Sequence, residues 1–294
     1  MNKELGKLLL HSKTKAQLEA FLSEPSHAVM LSGPDGSGKY TLAHALAAAL
    51  LDINIQKLDL YPYFSYVTTP QNKQEISIDT VRRLVSSLSL KTPGKRQLER
   101  AVFVQNAHNL SREAQNALLK ALEDPGSSTV FILSVPSDGS VLATIASRLQ
   151  HIKVLPVALE AALAYYAQDY SPAQIESSWQ LSQGKSGLLN ELLKQAGDHP
   201  LRLVVEEAKD FLRMNRYERL IKIDTYDQAQ LSIFLEALSR ILSALHKSAL
   251  AQNQASRVDR LLASRKQIEQ TQTALAQNAS TRLASLNLLL SLKV

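Results

Sequence analysis

Cysteine is absent from this chain of 294 residues. Without cysteine, the protein has no disulfide framework, no cysteine-ligated zinc, no iron–sulfur cluster and no thiol nucleophile. Disulfide-rich extracellular domains, cysteine-based zinc modules and thiol enzymes are therefore excluded.

Glycine and proline are also scarce, with ten of each, whereas average usage of about 7% and 5% would give more. Alanine, leucine, glutamine and serine are plentiful, so we expect a mostly helical chain and exclude collagen-like, low-complexity and all-β folds. The longest apolar run, Ala45–Leu51, is far shorter than the ~20 residues that a membrane-spanning helix needs. Residues 1–10 alternate charge with leucine instead of forming a signal peptide. We therefore expect a cytoplasmic protein without membrane contact.

Positive charge is concentrated near the end of the chain. The formal net charge is +6, and residues 201–294 carry 14 basic and nine acidic side chains, against 19 and 18 in residues 1–200. A modest basic excess suits a solvated helical surface as well as contacts with nucleic acid or acidic proteins. Charge alone therefore leaves the partner open.

Residues 1–155 alternate short β-branched runs with helical stretches, which is the pattern of a parallel α/β sheet. We predict strands at His27–Ser32, Ala101–Gln105, Thr129–Ser134 and His151–Val154. Helical spacing predicts helices at Tyr40–Leu51, Asp79–Leu88 and Arg112–Asp124. Ser111 is a suitable N-cap for the last of these helices, and Pro125 ends it. The aromatic, proline-broken segment Tyr61–Gln74 is predicted to be a surface excursion.

The β pattern ends at Pro156. Three short helices are expected at 158–168, 172–183 and 188–196, and from Pro200 onward the spacing is helical throughout. We therefore expect three domains: an α/β domain over 1–155, a small helical domain over 156–199 and a C-terminal helical domain over 200–294.

The segment GPDGSGK at Gly33–Lys39 follows a predicted strand and opens a predicted helix, as a phosphate loop does. In such a loop, backbone amides close around phosphate oxygens, the helix N-terminus adds positive potential, and the lysine supplies a point charge. The candidate nucleotide-binding residues are Gly33, Gly36, Ser37, Gly38, Lys39 and Thr41.

Two departures from the pattern of a phosphate-loop hydrolase argue against hydrolysis by this chain. The residue after Lys39 is Tyr40, where serine or threonine would place a small hydroxyl on magnesium, and Thr41 comes one position late. A hydrolase also needs an acidic residue at the end of a neighbouring strand. The strand AVFVQ ends instead in the neutral amides Gln105 and Asn106. We therefore expect no hydrolysis by this chain alone.

Three sequence features together resemble the clamp-loader branch of the AAA+ proteins, and in particular its delta-prime-type subunits. They are the phosphate loop, the run NAHNLSREAQNALLKALEDPGSSTVFIL, and the later Ser147-Arg148-Leu149. The string NALLKALEDP at Asn116–Pro125 is the most specific of them. The resemblance covers residues 1–200, and beyond these only the helical content agrees.

The resemblance implies an AAA+ P-loop domain with a parallel sheet, a small helical lid domain and an all-α C-terminal collar domain. It also implies that Arg148, with Ser147 beside it, acts as an arginine finger on nucleotide bound to a neighbouring subunit. Arginine suits this role because its charge is permanent and its planar fork engages phosphate oxygens. The implied partners are gamma/tau and delta subunits of the DNA polymerase III clamp loader, the sliding clamp and, through the complex, primed DNA in the replisome at the nucleoid.

Members of this family usually carry a four-cysteine zinc module after the first helix, and no zinc is expected here because the chain lacks cysteine. A motor subunit would place an arginine in a Gly-Ser-x-Arg context in its second domain. This chain has glycine at that position, Gly187, in the run Gly184-Lys185-Ser186-Gly187. Whether ATP or ADP occupies the phosphate loop is left open by the sequence.

Three functions remain in competition. A non-hydrolysing delta-prime-type subunit that donates Arg148 is the leading hypothesis, and an ATP-hydrolysing gamma/tau-type motor is the alternative, favoured by Lys39 and Thr41. A DNA-binding module acting alone would need stacking aromatics within a basic groove, but the two lie apart in the sequence. Lys95 and Arg96 are candidate contacts to DNA phosphates.

Overall fold

The computed structural model describes residues 4–71, 73–88, 98–126, 128–194, 200–277 and 279–292. Lys95 and Arg96, the candidate DNA contacts, lie outside these residues. The chain divides into two compact units, Met1–Asp169 with Gly184–Leu188, and Tyr170–Gln183 with Leu189–Val294. The predicted domain boundaries at 155 and 199 stay predictions.

A parallel sheet of five strands, in the order β2-β3-β4-β1-β5, forms the centre of the first unit. The strands are β1 (Ala28–Ser32), β2 (Phe64–Val67), β3 (Arg100–Val104), β4 (Thr129–Val135) and β5 (Gln150–Lys153). The three central strands, β3, β4 and β1, are buried at every position. Burial on both faces explains why these strands read as continuous apolar runs instead of alternating ones. The predicted parallel α/β fold is confirmed.

The prediction of a surface excursion at Tyr61–Gln74 is wrong in its first half, which contains β2. This strand pairs in parallel with β3, with Phe64 opposite Ala101 and Val67 opposite Val104. It forms one edge of the sheet, and only Val67 is buried. An edge strand needs few buried side chains, so its sequence lacks the apolar run of the central strands.

Helices cover both faces of the sheet. On one face lie α1 (Ser12–Ser23) and α2 (Lys39–Leu50), and on the other lie α3 (Ile78–Leu88), α4 (Arg112–Glu123) and α5 (Ala143–Ala146). Within β1, Val29 and Leu31 pack toward α1 and α2, while Ala28 and Met30 pack toward α3, α4 and α5. Ser111 caps α4 as predicted, since its Oγ accepts a hydrogen bond from the Ala114 N–H. A sixth helix, α6 (Leu159–Tyr166), completes the unit.

The second unit is helical, as predicted. It contains α7 (Pro172–Ser182), α9 (Pro200–Arg213), α10 (Arg216–Asp224), α11 (Gln228–Ala251), α12 (Ala255–Ala276) and α13 (Thr281–Ser291), while α8 (Ser186–Lys194) begins in the first unit and continues here. Its core includes Phe211 and Phe234, whose ring centroids lie 5.0 Å apart at a steep angle. Capping boxes begin α7, α10 and α11 and satisfy the first amides of these helices. Within the described residues, no helix is both long enough and apolar enough to cross a membrane.

Candidate functional site

The predicted phosphate loop, Gly33–Lys39, connects the C-terminal end of β1 to the first turn of α2. Gly36 and Gly38 have φ values of +80° and +87°, which side-chain-bearing L residues rarely adopt. Gly33 is required for a different reason, because a Cβ there would lie only 2.8 Å from the Val154 carbonyl oxygen. Strand, loop and helix thus follow one another in the predicted order, and glycine is needed at each of these three positions.

Lys39 turns its ammonium group back onto its own loop. The Nζ donates hydrogen bonds to the carbonyl oxygens of Gly33 and Pro34, the latter at 3.1 Å, and lies 3.5 Å from the Asp35 carboxylate. The side chain is only 7% exposed. This burial lowers the pKa of Lys39, against the opposing effect of the nearby Asp35 charge. The ammonium group expected to meet phosphate is therefore engaged by carbonyl oxygens of its own loop.

Residues 184–188 cover the loop in this conformation. The Leu188 N–H donates to the Gly36 carbonyl at 2.8 Å, and the Ser186 Oγ donates to the Ser37 carbonyl at 3.1 Å. A Cβ on Gly187 would lie 2.8 Å from both the Gly36 oxygen and the Gly38 nitrogen. In this conformation the loop leaves no room for a phosphate group between Gly187 and the two glycines Gly36 and Gly38.

Tyr40 belongs to an aromatic cluster beside the loop. Its ring centroid lies 4.0 Å from that of His44 and 5.9 Å from that of Tyr66, and Tyr66 stacks on Phe103 at 5.5 Å. Burial raises the pKa of the Tyr40 phenol, and the neighbouring Tyr66 and Asp59 add to this shift. Thr41, the late hydroxyl, is exposed on α2.

The amides that follow β3 are hydrogen-bonded within the chain. The Gln105 Oε1 accepts hydrogen bonds from the Tyr66 hydroxyl and, at 3.3 Å, from the Thr68 hydroxyl. Asn106 has a φ of +52°, and its N–H donates to the Ser134 Oγ at 3.0 Å. Neither side chain carries a negative charge that would neutralise magnesium or accept a proton from water.

Arg148 and Ser147 directly follow α5. The Arg148 Nη2 donates to the Glu123 Oε1 at 2.7 Å, and Nη1 donates to the Thr144 carbonyl at 2.8 Å. The Ser147 hydroxyl donates to the same carbonyl at 3.2 Å. The Arg148 side chain is 37% exposed, so it is accessible to a second molecule while its own chain holds it.

Arg148 and the phosphate loop lie beyond opposite ends of two neighbouring strands, β5 and β1. β5 runs parallel to β1, with Gln150 opposite Val29 and Lys153 opposite Ser32. Arg148 precedes the first residue of β5, whereas the loop follows the last residue of β1. The paired residues span roughly 10 Å at about 3.3 Å per residue. The sequence-predicted residues therefore form two separate groups.

Known proteins share both the sequence and the fold. A DNA polymerase III delta-prime subunit of Haemophilus influenzae is 31% identical over 137 residues, which are 42% of this chain and 41% of that protein. A protein family described as "DNA polymerase III, delta subunit" matches residues 11–158, about half of the chain. The chain belongs to this delta-prime family of clamp-loader subunits.

Two further similar proteins are named for gamma subunits. A DNA polymerase III gamma subunit of Buchnera aphidicola is 30% identical over 147 residues, 45% of this chain and 39% of that protein. A gamma-subunit-related protein of Thermotoga maritima shares the fold, with a TM-score of 0.53, 20% identity, and coverage of 93% of this chain and 97% of that one. The matched stretches span less than half the length of the two curated relatives described here.

His108 is a further residue near the phosphate loop. Burial lowers its pKa, while the charges of Asp35 and Lys39 act on it in opposite directions. Its Nδ1 is buried without a hydrogen-bond partner among the described residues. Only the fold brings His108, four residues beyond the end of β3, close to the loop after β1. Among the described residues, no group of three or more histidine, aspartate or glutamate side chains is arranged to hold a metal ion.

Proposed function

We propose that this chain is a non-hydrolysing, delta-prime-type clamp-loader subunit that donates Arg148 to nucleotide bound on a neighbouring subunit. The separation of Arg148 from its own phosphate loop carries this proposal. Because the two groups lie beyond opposite ends of neighbouring parallel strands, the guanidinium is at the wrong end of the sheet to serve nucleotide in its own loop. A partly exposed arginine at that end is available to a second subunit instead.

The loop itself supports the absence of hydrolysis. Lys39 is engaged by its own loop, Gly187 lies against Gly36 and Gly38, and the amide Gln105 stands where a motor would have a carboxylate. A phosphoryl-transfer site depends on a positioned metal and an oriented water, and none of these residues supplies a carboxylate that could hold the metal or orient the water.

The competing proposal is a gamma/tau-type motor that hydrolyses ATP itself. The intact Gly33–Lys39 run favours it, and so does the similarity to a gamma subunit. It would require residues 184–188 to move off the loop and Thr41 to take over the role of a magnesium-binding hydroxyl. Tyr40 and Gln105 argue against it. Tyr40 stands where a motor would have the magnesium-binding hydroxyl, Gln105 stands where it would have the carboxylate, and both side chains are engaged in contacts within the chain.

The proposed partners are the gamma/tau and delta subunits, with the sliding clamp and primed DNA engaged through the complex. Helix α13 supports assembly, because it has two apolar faces. Leu288 and Leu289 pack in the core of the second unit, whereas Leu283 and Leu290 are each 69% exposed. Exposed leucines at this spacing form a stripe along one side of a helix, which a partner helix would bury.

Substituting Leu283 and Leu290 together with glutamine is expected to weaken assembly with gamma/tau and delta subunits about 100-fold or more. Each leucine would lose roughly 1.5–3 kcal/mol of burial in the complex, while the isolated chain would keep its stability because both side chains are already exposed. Size-exclusion chromatography over a concentration series measures the assembly. Leu60→Gln, an exposed leucine of the first unit, is the matched control. Unchanged assembly of the double variant would rule out α13 as a subunit contact.

ATP hydrolysis by the purified chain, with magnesium and primed DNA, tests the proposed function. We expect no turnover above background, and no difference between the wild type and Lys39→Ala. Turnover that disappears in Lys39→Ala would instead identify a motor subunit, since only a working phosphate loop depends on this lysine.

A further inference from the structure

An ion pair holds the proposed arginine finger at its own subunit's surface. Glu123 is the last residue of α4, and its Oε1 accepts a hydrogen bond from the Arg148 Nη2 at 2.7 Å. Thr144 supplies a second acceptor, its main-chain carbonyl, to Nη1 at 2.8 Å. The guanidinium is therefore fixed at two nitrogens, from two different helices.

Both acceptors belong to helices that are anchored in the first unit. Helix α4 is capped by Ser111 and buries Leu118 and Leu122, while α5 is anchored through the buried Ile145. Gln115 connects the two helices, because its Oε1 accepts a hydrogen bond from the Leu142 N–H at 2.9 Å. Glu123 and Thr144 therefore keep their relative positions, and so does the guanidinium between them.

We propose that Glu123 is a positioning residue for Arg148, which pre-orients the guanidinium toward the neighbouring subunit's nucleotide. This inference rests on the proposed function. A guanidinium has five N–H groups, and two of them have partners among the described residues. Three remain for phosphate oxygens. A long arginine side chain that is held in place before binding loses less conformational freedom when it engages phosphate.

The exposure of the ion pair indicates that Glu123 orients Arg148 without preventing it from binding phosphate. Arg148 is 37% exposed and Glu123 is 51% exposed, and exposed ion pairs are weak because water screens them. A triphosphate offers several charged oxygens and competes readily with one exposed carboxylate. Glu123 therefore holds Arg148 in one orientation, and phosphate oxygens can still displace Glu123 from the guanidinium.

Glu123→Ala and Glu123→Gln, each in a loader reconstituted with gamma/tau and delta subunits, test this proposal. We expect Glu123→Ala to lower kcat for ATP about fivefold and Glu123→Gln about twofold, since glutamine keeps a neutral acceptor, with KM unchanged in both. Glu19→Gln removes an exposed carboxylate from α1 and is the matched control, with no expected effect.

A double-mutant cycle separates positioning from a general structural effect. In an Arg148→Ala background, Glu123→Ala should change nothing further, because the group that it positions is gone. The same loss in both backgrounds, an unchanged kcat, or a kcat that rises on removal of Glu123 would overturn the positioning role. If Arg148→Ala itself leaves kcat at the wild-type value, the proposed function fails, whereas an effect of Arg148→Ala without one of Glu123→Ala removes this inference alone.

Discussion

Arg148→Ala in a reconstituted clamp loader is expected to reduce ATP hydrolysis at the neighbouring site by about 10³-fold or more. Alanine removes the only part of the side chain that can meet the charge developing on the transferred phosphoryl group. The isolated variant should lose no more than about 2–4 °C in Tm, because the lost ion pair with Glu123 is exposed and contributes at most about 1 kcal/mol. Single-turnover hydrolysis by the assembled loader on primed DNA measures the effect.

Arg82→Ala is a suitable control for that experiment. Arg82 also forms an exposed ion pair in the first unit, with Asp79 at 3.9 Å, and so it matches Arg148 in charge and setting. Hydrolysis at the wild-type rate is expected for this variant. Equal losses from Arg82→Ala and Arg148→Ala would indicate a general electrostatic effect and would remove the specific role of Arg148.

Gly187→Ala is expected to destabilise the isolated chain by about 2 kcal/mol, because a well-packed site accepts an added carbon only by shifting its neighbours. The new Cβ would lie 2.8 Å from the Gly36 oxygen and the Gly38 nitrogen, and both belong to the backbone. A fall in Tm of roughly 4–8 °C follows for a unit of this size. Helix propensity alone would favour alanine at this position in the first turn of α8, so a lower Tm reports the contact with the loop.

Gly139→Ala is the matched control, because a Cβ on Gly139 would have no other atom within 4 Å. Its Tm should stay close to that of the wild type. Gly187→Arg extends the test, since arginine is the residue that a motor subunit would have in this region. We expect that variant to unfold at a still lower temperature. A Gly187→Arg chain with the wild-type Tm and new ATP binding would contradict the close packing of Gly187 against the phosphate loop.

Much of the first unit was predictable because its strands are buried on both faces. The apolar runs within His27–Ser32 and Thr129–Ser134 left few alternatives, and Ser111 and Pro125 marked the ends of α4. β2 was not predicted, because a four-residue edge strand with one buried side chain has no distinctive pattern. The two prolines around it also favour a loop.

The candidate site was predictable only where its chemistry follows a local motif. The glycines and Lys39 were found from their spacing, and Tyr40 and Gln105 from their departure from it. The contacts of these residues were not predictable, because they join distant parts of the chain. Gly187 meets the loop across about 150 residues, and Glu123 meets Arg148 across 25. Pairing at such distances depends on the sheet order, which no short motif encodes.

Hydrolysis by loaders that contain either Lys39→Ala or Arg148→Ala tests the central claim most directly. Each variant removes one cation, and the two cations lie beyond opposite ends of the neighbouring strands β1 and β5. A non-hydrolysing donor predicts that the Lys39→Ala loader turns over ATP at the wild-type rate, whereas the Arg148→Ala loader loses most of its activity. Loss of activity in the Lys39→Ala loader, with normal turnover in the Arg148→Ala loader, would contradict the donor function and identify this chain as a motor.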